Sequence, residues 1–415
     1  MPAELGGYCE YRRVSFVLTI NSGSSSIKFA LFEMNGSLNR VLAGKFDRIG
    51  LSGAALKVVD PRTDKKEERA IQAPDHASCV RPLIELIEER MCNAVLNAIG
   101  HRIVHGGPRY REPQRVDAAM LEELQRLSPY DPEHLPSEIA LMESLAESYV
   151  EVPQIACFDT AFYRELPPVA RLLPIPRKYA AKGVQRYGFH GLSYAYLMGE
   201  LERLAGTEAA QGRVILAHLG NGASMAAVRN GRCMDTTMAF TPAAGLVMST
   251  RSGDIDPGLV AYLARTENMT TEQFHEMINA KSGLLGISEI SPDMRDLLER
   301  EKADERAAEA LGIFCQQAKK WIGALAAVLG GLDTLVFAGG IGENAPVIRA
   351  RICDGLSFLG IEIDSKRNEA NAEIITTDNS GATARVIRTD EELYMAKAVM
   401  QLLAKEKSDT RWGGI

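Results

Sequence analysis

Several short stretches gather residues that handle phosphate. Asn21-Ser-Gly-Ser-Ser-Ser26, followed by Lys28, joins a glycine and hydroxyls to an ammonium group. Small residues let backbone N–H groups approach an anion, serine hydroxyls add donors, and lysine adds a point charge. The Asn21 carbonyl suits a hard cation. A polar hairpin tip explains the same composition. In Gly100-His-Arg-Ile-Val-His-Gly-Gly107, Arg102 sits inside an apolar run, where a guanidinium needs an anionic partner, either an ion pair or a ligand. His101 and His105 share one face of a strand, but with no third ligand a metal pair is disfavoured.

Asp159 follows a buried apolar run, at the strand end where open α/β sheets place their sites; capping the next turn is the alternative. Gln185-Arg-Tyr-Gly-Phe-His-Gly191 packs a cation, aromatics and glycines around His190, which either presents its imidazole to a pocket or serves the core. Arg251 offers a planar fork suited to phosphate or carboxylate. Asp254 and Asp256 beside it read as loop and capping residues rather than metal ligands. Asp293 opens a helix, where it caps or meets a ribose. Gly339-Gly-Ile-Gly-Glu-Asn344 between a strand and a helix suits an adenosine or phosphate against backbone. It is neither GxGxxG nor a P-loop, and GxxxxGK[ST] occurs nowhere in the chain, so Walker and simple Rossmann readings fail.

The elements that must position these residues follow from periodicity. Val14–Ile20 and Ile27–Met34 read as strands, Asn35-Gly36 as a tight turn, and Leu38–Asp47 as a third strand. Lys57–Pro74 is charged and reads as a solvated excursion. Val80–Leu96 carries a helical stripe, Leu135–Tyr149 another, and Val152–Asp159 a strand. Val214–Leu219 then runs into Gly220-Asn221-Gly222-Ala-Ser224, with a strand at Met225–Arg229 and a turn at Asn230-Gly231. Asn21-x-x-Ser24 and Asn221-x-x-Ser224 thus occupy the same place in two strand–loop–strand–turn units, which implies two similar lobes. A helix over Ala303–Leu329, strands at Thr334–Ala338 and Val386–Arg388, and a final helix complete the chain.

With 415 residues, two domains are expected. A net charge of −7 without a basic tract argues against nucleic acid. Seven cysteines, an odd number without CxxC spacing, argue for free thiols in a reducing cytosol. The start of the chain has no apolar signal segment, and Ile322–Gly342, though nearly uncharged, is broken by Gly330-Gly331-Leu332-Asp333.

NSGSSSIKF, GHRIVHGG, FDTAF, RYGFHG, HLGNGAS, FTPAAGLVMSTRSGDIDP, GGIGEN and RTDEEL occur in this order in the acetate/propionate kinase family, which the chain resembles from about Val14 to Ala404. The resemblance implies an α/β fold of two duplicated actin-like, ribonuclease H-like (ASKHA) domains with the active site in the cleft between them. Residues 14–162 plus 391–415 would form domain I and 163–390 domain II, after an extension at 1–13. It implies reversible transfer of the ATP γ-phosphoryl group to acetate, giving acetyl phosphate and ADP, with propionate or another short carboxylate as the alternative. A sugar kinase, a polyphosphate phosphatase or a nucleotide-gated binding protein on the same fold is disfavoured, because Arg102 and Arg251 suit an anionic acceptor.

By motif, the resemblance assigns Asn21 and Glu391 to Mg²⁺ (or Mn²⁺), and Asp159, His190 and Arg251 to catalysis. Arg102 would bind the substrate carboxylate, with Val104, Phe189 and Pro242 lining the acyl pocket. Ser24, Ser26 and Lys28 would contact phosphates, and His218, Leu219, Gly220, Asn221 and Gly222 would surround ATP. Asp293, Met294, Arg295, Gly340, Ile341, Gly342, Glu343 and Asn344 join that second group. A cytoplasmic homodimer with no membrane or nucleic-acid partner is implied.

The chain departs from the family at three places. LAPLHNP becomes Leu-Ser-Pro-Tyr130-Asp131-Pro132, with His134 nearby; GFHGTSH becomes Gly-Phe-His-Gly-Leu192-Ser-Tyr194; and GTRSGD becomes Ser249-Thr-Arg-Ser-Gly-Asp254. The catalytic set is intact while the acyl end is altered. Acetate and propionate differ by one methylene, worth about 1–3 kcal/mol in an apolar pocket.

Overall fold

A computed structural model describes residues 14–23, 25–91 and 94–412. The described residues divide into two compact units: those up to Val104, Glu112–Cys157 and those from Glu392 on form one, His105–Arg111 and Phe158–Glu391 the other. This division gives 105–111, 158–162 and Glu391 to the second unit, where the family pattern suggested the first. Local bonding explains it: the Gly106 N–H donates to Thr160 Oγ1 at 3.0 Å, and Tyr110 stacks on Phe158 with ring centroids 5.3 Å apart.

The first unit is built on an eight-stranded sheet: β1 (Ser15–Gly23), β2 (Ser26–Met34), β3 (Leu38–Asp47), β4 (Ala55–Asp60), β5 (Lys65–Ala70), β6 (Val95–Ile103), β7 (Gln114–Arg115) and β8 (Gln154–Phe158). Its order is β5-β4-β3-β2-β1-β6-β8-β7. β1 and β2 pair antiparallel up to Gly23↔Ser26, and β6 pairs parallel on the other side of β1. The β2–β3 turn places Gly36 at φ 90°, a conformation glycine adopts without strain. Lys57–Pro74 is not a loose excursion, since most of it lies in β4 and β5. Its charge belongs to an edge strand, which charged side chains keep from pairing further. The first helix stops at Met91, and Val95, expected on its stripe, starts β6.

Leu83 and Ile87 of the helix Val80–Met91 and Leu141 and Leu145 of the helix Leu135–Ser148 pack with Leu18, Ile20, Phe29 and Leu31 of the sheet. The final helix, Glu391–Trp412, buries Met395 and Val399. A Cβ on Gly100 would stand 2.9 Å from the Val399 side chain, so glycine permits that approach.

The second unit carries a five-stranded sheet: β9 (Arg213–Leu219), β10 (Ala223–Arg229), β11 (Arg232–Thr236), β12 (Thr334–Ala338) and β13 (Thr383–Val386). Its order is β11-β10-β9-β12-β13. The last strand lies three residues earlier than the apolar run suggested, because β13 pairs in register with all but the end of β12. In both sheets a hairpin leads into a third antiparallel strand, and the first strand is flanked by a parallel one: β3-β2-β1-β6 matches β11-β10-β9-β12. The repeat seen in the sequence is therefore a repeat of topology. The helix Glu305–Leu329 buries Leu311, Phe314, Ala318, Ile322, Leu325 and Leu329 and ends at Gly330 with φ 74°. The nearly uncharged Ile322–Gly342 is thus split into helix, turn and strand. Among the described residues no helix is long and apolar enough to cross a membrane. Cys79, Cys157, Cys233, Cys315 and Cys353 are buried free thiols.

Candidate active site

In the first unit, the hairpin β1–β2 sets Asn21 opposite Lys28 and Gly23 opposite Ser26. Ser24, expected to contact phosphate, lies outside the described residues. Parallel pairing of β1 with β6 brings Arg102 alongside. Its Nη1 donates to Asn21 Oδ1 at 3.4 Å and to the Ser22 carbonyl at 3.2 Å. The structure therefore joins Asn21, Lys28, Ser26 and Arg102 at one end of three adjacent strands, β2, β1 and β6.

Two anchors at this end were not foreseen. The Ile49 N–H donates to the Ser25 carbonyl at 2.9 Å, and His76 Nε2 lies 2.7 Å from the Gly23 carbonyl. Since a carbonyl only accepts, Nε2 of His76 carries the proton. His76 is itself held by a turn in which Asp75 Oδ1 accepts from the Ser78 N–H at 2.8 Å. A histidine outside any motif gave no sequence signal for this.

Val104, expected at the acyl pocket, is buried, and its N–H donates to both carboxylate oxygens of buried Glu138, at 3.0 and 3.3 Å. Glu138 lies on the helix that His134 precedes, and His134 Nδ1 pairs with Asp131 Oδ1 at 2.8 Å in a buried contact. The altered Tyr130-Asp131 stretch is thus tied through one helix turn to the strand end bearing Arg102. His101 is fully buried, and burial pushes its imidazole down to about 4. It is a neutral core histidine.

In the second unit the site grows from three close approaches. Asp159, fully buried, begins a short 3₁₀ turn at the end of β8. Its carbonyl would lie 1.8 Å from a Cβ on Gly191, so only glycine lets the His190 loop pack there. His190 adopts the left-handed conformation (φ 59°), uncommon for a residue with a side chain. Its ring stacks on His218, 4.3 Å between centroids and 23° between planes. His190 Nδ1 lies 2.9 Å from Ser224 Oγ, and Tyr194 Oη lies 2.5 Å from the same oxygen. In parallel, His218 Nδ1 meets Ser193 Oγ at 2.9 Å, which meets Thr389 Oγ1 at 2.7 Å.

The glycine loop after β9 is the meeting point. A Cβ on Gly222 would stand 3.1 Å from His190 Nε2 and 3.6 Å from Arg251 Nη1. One on Gly220 would stand 3.7 Å from His218 Nε2 and 3.8 Å from the Gly340 N. His190, His218, Arg251, Gly220, Gly222 and Gly340 are thus drawn together. Gly339 (φ 75°) would place a Cβ 2.7 Å from the Leu219 carbonyl, which is why a glycine opens the helix Gly339–Asn344. The Arg251 loop is held by Ser249 N–H donating to the Asn221 carbonyl at 3.1 Å. Asp254 Oδ1 accepts from the Gly245 N–H and Asp256 Oδ1 from the Gly258 N–H, as loop and cap residues do.

Other expected ATP contacts are otherwise engaged. Glu343 Oε1 accepts from the Gly339 N–H at 3.0 Å and the Thr389 N–H at 3.1 Å. Asn344 Nδ2 donates to the Gly340 carbonyl. Asp293 caps the helix Met294–Arg300 and pairs with Arg295, whose guanidinium holds the Asp293 carboxyl below its usual range. Met294 is buried, and Ile341 and Gly342 lie in the short helix. Phe189 is buried beside His105, ring centroids 5.7 Å apart. Pro242 sits in the turn after Phe240, and Glu391 begins the final helix. Arg349, buried and missed by the sequence reading, donates to the Gly342 and Glu343 carbonyls at 2.8 and 3.1 Å and so closes the C-terminal end of the glycine-loop helix.

A strand-end cluster of Asn21, Lys28 and Arg102 on one sheet, and on the other a glycine loop with His190, His218 and Arg251, are what a two-unit α/β phosphotransferase needs. The sequence pattern of the acetokinase family matches residues 16–397. The chain is 39% identical over 394 residues to an acetate kinase of Chromobacterium violaceum, covering 94% of this chain and 98% of that one. It is also 39% identical over 396 residues to a propionate kinase of Escherichia fergusonii, covering 94% and 97%. The crystal structure of Porphyromonas gingivalis acetate kinase superposes with a TM-score of 0.85 at 34% identity, over 94% of this chain and all of that one. The chain belongs to the acetokinase family, phosphotransferases with a carboxyl group as acceptor.

Proposed function

We propose that this protein is an acetate kinase, transferring the γ-phosphoryl group of ATP reversibly to acetate to give acetyl phosphate and ADP. The observation that carries the reading is the approach of His190 Nε2 and Arg251 Nη1 to Gly222, where fixed donors face one small volume. Phosphoryl transfer passes through a loose transition state that mainly needs positioning and charge neutralisation. Arg251 and His190 supply donors for the transferring group, Arg102 a fork for the carboxylate, and Lys28 with Ser24 and Ser26 further phosphate contacts. The backbone of His218–Gly222 and Gly340–Asn344 cradles the nucleotide, with Asp293–Arg295 beside it, and Val104, Phe189 and Pro242 bound the acyl group.

Mg²⁺ fits the donor set. It prefers oxygen ligands, and one or two protein groups with phosphates and water suffice. Asn21 Oδ1 and the Glu391 carboxylate are such oxygens; Mn²⁺ would accept the same pair. When bound, the ion would neutralise phosphate charge.

Propionate remains the second reading. Tyr130 and Asp131 replace the family's leucine and histidine, and Asp131 pairs with His134, which precedes the helix whose Glu138 holds the Val104 N–H. Hydroxamate trapping of the acyl phosphate from ATP, Mg²⁺ and acetate, propionate, butyrate or no acid decides between them. Acetate giving the highest kcat/KM supports the proposal. Product with propionate alone selects the second reading, and none with any acid in a folded protein that binds ATP rejects both.

A cytoplasmic homodimer completes the reading. The helices Gly258–Glu267 and Thr271–Ala280 bury no residue, and Leu259, Val260 and Tyr262 are exposed on the first. A monomeric mass in solution would reject the dimer.

A further inference from the structure

His190 can donate from Nε2 toward the transferring phosphoryl group only while that nitrogen carries a proton. Which nitrogen of a histidine does so is set by the hydrogen bond the other one makes. Here Nδ1 ends a short buried chain: His190 Nδ1 to Ser224 Oγ at 2.9 Å, and Ser224 Oγ to Tyr194 Oη at 2.5 Å. Ser224 and Tyr194 are fully buried.

Only one direction of donation satisfies this chain. Suppose His190 Nδ1 carried a proton and gave it to Ser224 Oγ. Ser224 Oγ would then either donate to Tyr194 Oη, leaving the phenol proton in need of another acceptor, or accept from the phenol as well, leaving its own proton in need of one. The phenol ring is surrounded by Phe162 and Tyr163, and the His218 backbone also directs its hydrogen bond to the phenol oxygen. Among the described residues no further acceptor meets either hydroxyl, and a buried donor left without one is strongly disfavoured. In the opposite direction every group is satisfied: the phenol donates to Ser224 Oγ, and Ser224 donates to His190 Nδ1. Burial keeps the phenol protonated, since it pushes Tyr194 well above the usual tyrosine range.

We propose that Tyr194 is a positioning residue which, through Ser224, fixes His190 as the neutral imidazole with its proton on Nε2. This rests on the reading of His190 as a donor to the phosphoryl group. Tyr194 stands where the family pattern has histidine. A histidine can reverse its own donor and acceptor nitrogens, whereas a phenol with a single proton sets one direction. Two further groups meet the His190 ring away from Nδ1. His218 stacks on its face and is tethered to Ser193, and Arg251 approaches from the Gly222 side, near Nε2.

The test is ¹⁵N NMR of histidine-labelled full-length protein near neutral pH, with His190 assigned by the loss of its signal in His190→Gln. The wild type is expected to show a neutral His190 with Nδ1 unprotonated. Tyr194→Phe should shift the ring toward a mixture of tautomers. Its kcat should fall about tenfold, roughly one hydrogen bond, while KM for ATP and for the acid stays within about twofold. Should Tyr194→Phe not fold, Ser224→Ala removes the same relay and is read the same way. A wild-type His190 protonated on Nδ1, or an unchanged tautomer in the variants, overturns the proposal. The NMR readout needs no turnover, so failure of the kinase reading shows separately, as absent acyl phosphate in the wild type.

Discussion

At the scale of single residues, Asp159 poses the sharpest question. A buried acidic group at a strand end invites the role of general base. Yet the acceptor is a carboxylate, with a pKa of about 4–5 like a Glu side chain, and is already ionised at neutral pH. No proton has to be removed from it. Asp159 begins the 3₁₀ turn whose carbonyl fits against Gly191, next to the left-handed His190. We therefore expect it to orient cationic or hydrated groups. Asp159→Asn should lower kcat by on the order of 10²-fold, as loss of a preorganised electrostatic group does, while the pH–rate profile keeps its shape. Disappearance of a titrating limb in that profile would show Asp159 to be a base after all.

At the scale of elements, hairpins and glycine loops were legible because their signals are local. Asn-Gly pairs closed the turns, and glycines marked the sites where backbones touch. Lys57–Pro74 was misread because an exposed edge strand carries no apolar alternation. The Ser193–Thr389 and Tyr194–Ser224 contacts join residues 196 and 30 positions apart, and no window of sequence displays such pairings. His76 belongs to the same class: Nε2 holds the Gly23 carbonyl across 53 positions. A small-residue loop owes its shape to such anchors, since glycine and serine do not impose one. His76→Leu should raise KM for ATP about tenfold, roughly one hydrogen bond, and leave KM for the carboxylate unchanged. His76→Gln, which keeps a donor, should restore part of the effect. Steady-state kinetics with each substrate varied would discard the anchor if KM for ATP stayed at the wild-type value.

At the scale of the whole molecule, duplication explains why two sheets of different width carry comparable hairpins, and why a loop rich in small residues follows the first strand of each. It also separates stability from catalysis. His101 lies inside the first sheet, on the strand that carries Arg102. An ordinary histidine titrates near 6.5, while burial pushes His101 down to about 4. Between those values the unfolded chain binds a proton that the folded one refuses, so stability rises with pH across the window and is lost as pH falls through it. The full span corresponds to about 3 kcal/mol, a large share of a typical folding free energy. Urea unfolding should therefore show a midpoint that drops from neutral pH toward pH 4, and His101→Asn should flatten that slope while costing some stability at neutral pH. An equally steep slope in His101→Asn would assign the acid sensitivity to other groups.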